Sequence, residues 1–446
     1  MTTLIPKYDQ GATGAVNRPY NIKLQEFVSV LDFGADTTGA TDSSVAFQNA
    51  INTLTSSGTL YVPSGTYTFT NFVTISNPNI TITGEGIISY PASLSWVGTG
   101  TSVSFFKISA NNVKIVGLNF NGNSKTPSSG KDYWPILFNS GGTNGSILDC
   151  YFYNFTHQTG GYSGAPIGFV TTSATGGMVN NCNFSNCHGG VFTQSPLVTI
   201  SNNTFQTITD VPVALNGVSA VGCIVNANII QNSGDYPAIA VEESPSDFVI
   251  TNNNVRNCGV CVSMYNSTTT STHEGGVISN NNFTINAGFS GAAAPIMFTI
   301  RQYYKGTVIT GNKFYCDTTG LTLTGTGAAI YCFASSNVQI SDNLFDIVYG
   351  MGYVVLLSGP GEVVFSDNVL NMNNAISIGI LVSSAGTIVA NIVDNYFDAP
   401  VNYAVQFQSS SNWTGVLRNN VFTNVGGSAQ YYGSYFGNIS AQVSSS

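Results

Sequence analysis

The chain has 446 residues, 43% of them hydrophobic and only 7% charged, with a formal net charge of −9. An acidic surface with scattered cations argues against nucleic-acid binding, the apolar content is too high for a disordered chain, and no apolar run is long enough to cross a membrane as a helix. A neutral or partly charged sugar polymer suits such a surface better.

Residues 1–25 are polar and broken by Gly11, Gly14 and Pro19, which reads as a docking arm without a core of its own. The first residues lack the apolar stretch of a secretion signal, so the protein is expected to stay in its cell of synthesis or leave by a route such as lysis. Residues 26–70 then read as strand, helix, strand. An alternating stretch at 27–35 leads into a turn-rich loop, where Thr41 or Asp42 can cap a helix whose apolar residues Phe47, Ala50, Ile51 and Leu54 fall at helical spacing. Such a helix is expected to plug the open apolar end of the repeats that begin beyond it.

From 71 to 425 one pattern returns: an apolar pair, one or two Asn, any residue, then Phe or an aliphatic, as in residues 198–205 (Val-Thr-Ile-Ser-Asn-Asn-Thr-Phe). The closing apolar residues are Phe120, Phe152, Phe184, Phe205, Ile230, Val255, Phe283, Phe314, Phe345, Leu370, Phe397 and Phe422, at spacings of 21–32 residues. Asn stands two residues before nine of these markers, at 203, 228, 253, 281, 312, 343, 368, 395 and 420. This regularity predicts stacked coils, with Phe over Phe inside and Asn over Asn at a bend. A second strand family, such as 135–138, 238–241 and 353–356, gives each coil at least two strands. Together they predict a triangular parallel β-helix of about twelve or more coils with a third, less regular side. Residues 426–446 are aromatic but aperiodic and are expected to cap the last coil or pack against sister chains.

Cys150 and Cys182 occupy the ladder position of early coils and read as reduced, stacked core thiols. Cys258-Gly-Val-Cys261 is a lone pair without a second, so no metal and no cofactor is expected.

Three stretches resemble the opening of the pectate-lyase-like bacteriophage tailspikes. They are residues 27–36 (Phe-Val-Ser-Val-Leu-Asp-Phe-Gly-Ala-Asp), 41–51 (Thr-Asp-Ser-Ser-Val-Ala-Phe-Gln-Asn-Ala-Ile) and 58–67 (Gly-Thr-Leu-Tyr-Val-Pro-Ser-Gly-Thr-Tyr). Residues 17–26 are similar to the linker before that opening in tailspikes of phages of Gram-negative hosts. The resemblance implies an all-β, right-handed parallel β-helix, a homotrimer, and a place in the virion through the N-terminus. It also implies recognition or cleavage of a host surface polysaccharide: capsule, O-antigen or exopolysaccharide. Only residues 1–25 precede the opening, so attachment to the phage tail through an adaptor protein is expected.

Glycoside hydrolysis needs two carboxylates flanking the bond. Asp342, Asp367 and Asp394 lie three residues before their markers, a register held elsewhere by Asn202, Asn252, Asn280 and Asn419, and read as turn residues. Asp36 and Asp42 read as caps. Asp210 and Asp235 remain, five residues past Phe205 and Ile230 and expected to stack on neighbouring coils. So do Glu242 and Glu243, where alternation turns Ile239 and Val241 inward and Glu242 outward. Neighbouring coils place Asn216 below Glu242, Ser263 or Tyr265 above it, and Arg301 and Tyr303 one coil further. His273 and Glu274 occupy the long turn between.

Crowded carboxylates raise one another's pKa, leaving one as acid while its neighbour serves as base or nucleophile. Asp210, Asp235, Glu242 and Glu243 are therefore the catalytic candidates. Asn216, Tyr265, His273, Glu274, Arg301 and Tyr303 are the substrate contacts, with Arg301 suited to an acidic sugar and the tyrosines to stacking on sugar rings. The plainer alternative makes Asp210 and Asp235 loop acids and the Glu pair a solvated strand end, on a non-catalytic receptor-binding or structural tail protein. A second alternative is a polysaccharide lyase with Tyr or His as base.

Overall fold

The computed structural model describes residues 6–24, 26–90, 102–125, 132–155, 165–265, 273–290, 296–301, 304–322, 327–333, 337–373, 378–383, 387–398, 403–407, 412–423 and 431–432. Two compact units, 1–187 and 188–446, divide the chain and are described in turn.

In the first unit the strand Phe27–Ser29 gives way at once to a 3-10 turn, Val30–Phe33, where alternation predicts a longer strand. Ser29 Oγ accepts from Leu31 N at 3.3 Å, the Asp32 carboxylate accepts from Ser29 N at 3.4 Å, and Gly34 closes the turn at φ 84°. This capping box takes up backbone groups that a strand would have extended. The predicted helix spans Ser44–Thr53. Its N-cap is Ser43, and Asp42 just before it accepts from Ser44 N at 3.2 Å and from the Ser44 hydroxyl at 2.7 Å. Phe47 is fully buried, edge-on to Phe69 at 4.8 Å and Tyr67 at 5.4 Å, so the helix does cover the apolar interior of the first coils.

Beyond the helix lie three parallel stacks. Val73–Ile75, Phe106–Ile108, Ile136–Phe138 and Ile167–Phe169 form one. Ile80–Gly84, Lys114–Val116, Ser146–Leu148 and Met178–Asn180 form the second. Ile87–Ser89, Asn119–Asn121, Tyr151–Tyr153 and Asn183–Cys187 form the third. The third side is therefore as regular as the other two. Phe120, Phe152 and Phe184 stack at 4.8 and 5.0 Å with rings 8° apart. Cys150 and Cys182 are buried free thiols that donate to the carbonyls of Leu148 and Asn180, two residues back. Burial pushes the Cys182 thiol up, which keeps it a protonated donor.

The second unit shows why Asn displaces Cys at this position. Asn228 Oδ1 accepts from both the backbone N and the Nδ2 of Asn203 at 3.0 Å. Asn253 does the same for Asn228 and Asn281 for Asn253. The relay passes on through Asn312, Asn343, Asn368 and Asn395 to Asn420. The other amide proton reaches back to a carbonyl, as from Asn281 to Ile250 at 2.9 Å. A thiol has one proton and cannot fill both roles.

The residue before each ladder Asn makes the bend. Asn202, Asn252, Asn280, Asp342, Asp367, Asp394 and Asn419 all sit at φ between 55° and 59°. Asn and Asp tolerate this left-handed region better than other side-chain-bearing residues. The three Asp residues are thus turn formers, as their register suggests.

Marker and second-family strands merge in two coils, giving the long strands Ile229–Glu242 and Asn254–Tyr265. Among the described residues no helix is long and apolar enough to cross a membrane. The ladder makes a direct prediction for the folded state. Asn281→Ala strips partners from Asn253, Asn312 and Ile250 and is expected to cost about 3 kcal/mol. Asn280→Gly, one residue away, keeps the left-handed bend and is expected to cost less than about 1 kcal/mol. Chemical denaturation of both variants measures the difference.

Candidate active site

Parallel register turns the outward residues of successive coils into a column. Asn216 pairs with Glu242, Glu242 with Tyr265, and Tyr265 with the backbone position of Arg301. Gln194 precedes them, donating from Nε2 to Asn216 Oδ1 at 3.2 Å, and Asn216 Nδ2 donates to Glu242 Oε2 at 3.4 Å. Ile239 and Val241 are fully buried, so alternation leaves Glu242 at the surface of the strand but only partly exposed. Tyr265 is 39% exposed and offers a ring beside it.

The chain turns sharply after Glu242. Glu243 sits at φ 53° and Ser244 at φ 90°. Tyr304, fully buried, clamps this corner by donating from its hydroxyl to Val241 O at 3.0 Å, while the Ser244 backbone hydrogen-bonds the phenol from the other side. The phenol is pushed up by burial, with Glu242 and Glu243 acting in the same direction. Burial also pushes the Glu242 carboxyl up. The Asn216 hydrogen bond opposes this, and the charges of Asp210 and Glu243 reinforce it. Three acids thus share one field, and Glu242 is the one held toward its protonated form.

Asp210 is held by a residue that sequence patterns did not mark. His188, 9% exposed, lies with Nε2 at 3.3 Å from Asp210 Oδ2 and Nδ1 at 3.1 Å from Thr209 Oγ1, and its carbonyl accepts from Asp210 N at 2.8 Å. Asp235 is exposed within the merged strand Ile229–Glu242, while Asp210 lies in a turn outside the strand pairings. On either side of it the offset between coils changes from 25 residues at Gln206↔Gln231 to 26 at Val213↔Ile239, with further register shifts around Gly234.

His273–Glu274 forms a short strand paired with Tyr304–Lys305, so the long turn runs beside the clamp residue. The side chains of His273, Glu274 and Arg301, and all of Tyr303, lie outside the described residues. Sequence reasoning did not mark Tyr304, whose hydroxyl clamps the corner after Glu242. For His188 and Thr209 no local signal exists, since their link to Asp210 is set by the return of a coil.

Residues 27–235 match the family described as rhamnogalacturonase A/epimerase, pectate lyase-like, and residues 237–422 match the right handed beta helix region. Among solved structures, the tailspike protein of E. coli bacteriophage HK620 in complex with pentasaccharide is similar with a TM-score of 0.70 at 16% identity, over 96% of this chain and 81% of that one. Bacteriophage CBA120 tailspike protein 3 gives a TM-score of 0.61 at 15% identity, over 98% of this chain and 65% of that one. An iota-carrageenase of Alteromonas macleodii is 35% identical over 85 residues, 18% of this chain and 16% of that enzyme. The chain has the right-handed parallel β-helix fold of phage tailspikes, and its residues 27–235 match the pectate-lyase-like model.

A raised Glu242 pKa carries a stability cost of known sign. The folded state keeps the proton at pH values where the unfolded state, titrating near 4.5, has lost it, so stability falls as pH rises through that window. Glu242→Gln removes the loss. The variant is expected to melt above wild type at pH 7 and to lose that advantage below about pH 4, as scanning calorimetry at both pH values will show.

Proposed function

We propose that this chain is a phage tailspike that binds a bacterial surface polysaccharide and hydrolyses it, with Glu242 as general acid and Asp210 as the partner carboxylate. The observation that carries this reading is the partly buried Glu242, pushed up with Asp210 and Glu243 acting on it, between Asn216 and Tyr265 in the column. An acid must be protonated near neutral pH to protonate a glycosidic oxygen, and its partner must stay ionised to activate water or attack the anomeric carbon. Burial and like charge push Glu242 toward the first role. Gln194, Asn216 and Tyr265 supply what a sugar chain needs on either side: amides for hydroxyl groups and a ring for a pyranose face.

Support for the substrate class comes from the relatives. A structure with this fold was solved holding a pentasaccharide, and the iota-carrageenase shares a short stretch with this chain. A homotrimer, attachment through residues 1–25 to the tail or an adaptor protein, and a place in the virion belong to the same proposal. Capsule, O-antigen and exopolysaccharide are the substrate classes it names. A lyase needs a Tyr or His base, and Tyr304 at the Glu corner is buried with its proton donated to Val241, while the raised Glu242 carboxyl suits an acid. Hydrolysis is the better reading.

Incubation of the purified protein with host capsule, O-antigen and exopolysaccharide preparations should release reducing ends without the ultraviolet absorption of an unsaturated product. Glu242→Gln and Asp210→Asn are each expected to lower kcat by about 10²–10⁴-fold with folding intact. Polymer binding without chain shortening would leave a receptor-binding protein in place of an enzyme, and activity surviving in both variants would remove the assigned residues. Glu243→Gln withdraws one of the charges that raise Glu242, so the basic limb of its pH–rate profile should move to lower pH.

A further inference from the structure

We propose that His188 is a positioning residue for Asp210, fixing through one imidazole tautomer which carboxylate oxygen faces the reaction. The inference rests on the hydrolase reading above and names a residue that reading did not require. His188 is almost wholly buried, and two hydrogen bonds and one close ring-to-carboxylate contact tie it to the two consecutive residues Thr209 and Asp210. An ionised carboxylate only accepts, so the 3.3 Å approach of Nε2 to Asp210 Oδ2 favours the tautomer with the proton on Nε2. In the neutral ring Nδ1 then accepts, and the Thr209 hydroxyl at 3.1 Å is its donor. A single tautomer satisfies both partners, and the flipped ring would satisfy neither as well. The backbone bond from Asp210 N to His188 O at 2.8 Å fixes the distance between the two residues.

The consequence is directional. Asp210 Oδ2 is occupied by the imidazole, while Oδ1 has no hydrogen-bond partner among the described residues and is left for water or an anomeric carbon. Asp210 lies in a turn between the strands Thr204–Ile208 and Val213–Asn216, and a turn acid needs such an anchor to hold a reacting geometry.

Kinetics on the polysaccharide preparation that the wild type shortens provide the test. His188→Leu, which fills the volume and removes both nitrogens, is expected to lower kcat by about tenfold or more with KM within about twofold. His188→Gln, which restores an N–H donor near the Nε2 position, should recover kcat to within about threefold of wild type. Wild-type kcat in His188→Leu, or no recovery in His188→Gln, overturns the inference while the hydrolase reading stands. A wild-type protein that shortens none of the three preparations overturns both. Should His188→Leu fail to fold, Thr209→Val and Thr209→Ser decide: loss in the first and recovery in the second supports the relay, and unchanged kcat in the first overturns it.

Discussion

A side-chain amide handed from coil to coil is the interaction on which the second unit depends. A parallel β-helix must turn corners without leaving buried backbone groups unpaired, because each such group costs of order 1–3 kcal/mol. Asn solves this at the bend: its oxygen takes the backbone N–H and the amide proton of one neighbour, and its own amide proton goes on to the next. Nine residues from Asn203 to Asn420 repeat the arrangement while all but buried. With charge at 7% of the chain, ion pairs supply little of the cohesion. In the first unit Cys150 and Cys182 stand at the same position with a single proton each to share, and there the near-parallel stack of Phe120, Phe152 and Phe184 fills the interior.

The ladder has a second effect, which reaches the site. Because it fixes register at one corner of each coil, the outward residues on another side fall into a column without needing contacts of their own. Gln194, Asn216, Glu242 and Tyr265 are aligned in this way, and the backbone register continues through the positions of Arg301 and Phe333 to Ser358 and Ser383. Glu242 is the one acid in it. Its partial burial costs stability at neutral pH, and the left-handed backbone at Glu243 and Ser244 adds strain that the Tyr304 clamp offsets. Local sacrifices on a strongly self-consistent scaffold are what a functional site is expected to show.

Much of this was legible in the sequence because the fold repeats. The markers from Phe120 to Phe422, the ladder Asn residues and the left-handed register before them could be counted along the chain, and alternation after Ala238 turned Glu242 outward, above Asn216 and below Ser263 or Tyr265, of which the register selects Tyr265. What escaped was whatever breaks the repeat. The 3-10 turn at Val30–Phe33 depends on the Ser29–Asp32 pairing, which overrides an alternating pattern. Asp235 is equivalent to Asp210 by counting, but the merged strand Ile229–Glu242 absorbs one extra residue, a change that counting along the chain does not reveal. His188 and Thr209 have no period to betray them.

Repetition also gives a way to separate scaffold from chemistry. Asp342, Asp367 and Asp394 occupy a register where Asn serves equally well, so their charge is incidental to a backbone need. Glu242 has no such excuse: its coil partner is Asn216, its other neighbour Tyr265, and neither position asks for a carboxylate. An acid set where structure prefers a neutral group, pushed up by burial and by Asp210, is costly to keep unless its proton is used. That reasoning singles out Glu242 ahead of Glu243, whose left-handed backbone gives it a structural role at the corner, and ahead of Asp235, which is exposed where Glu242 is partly buried.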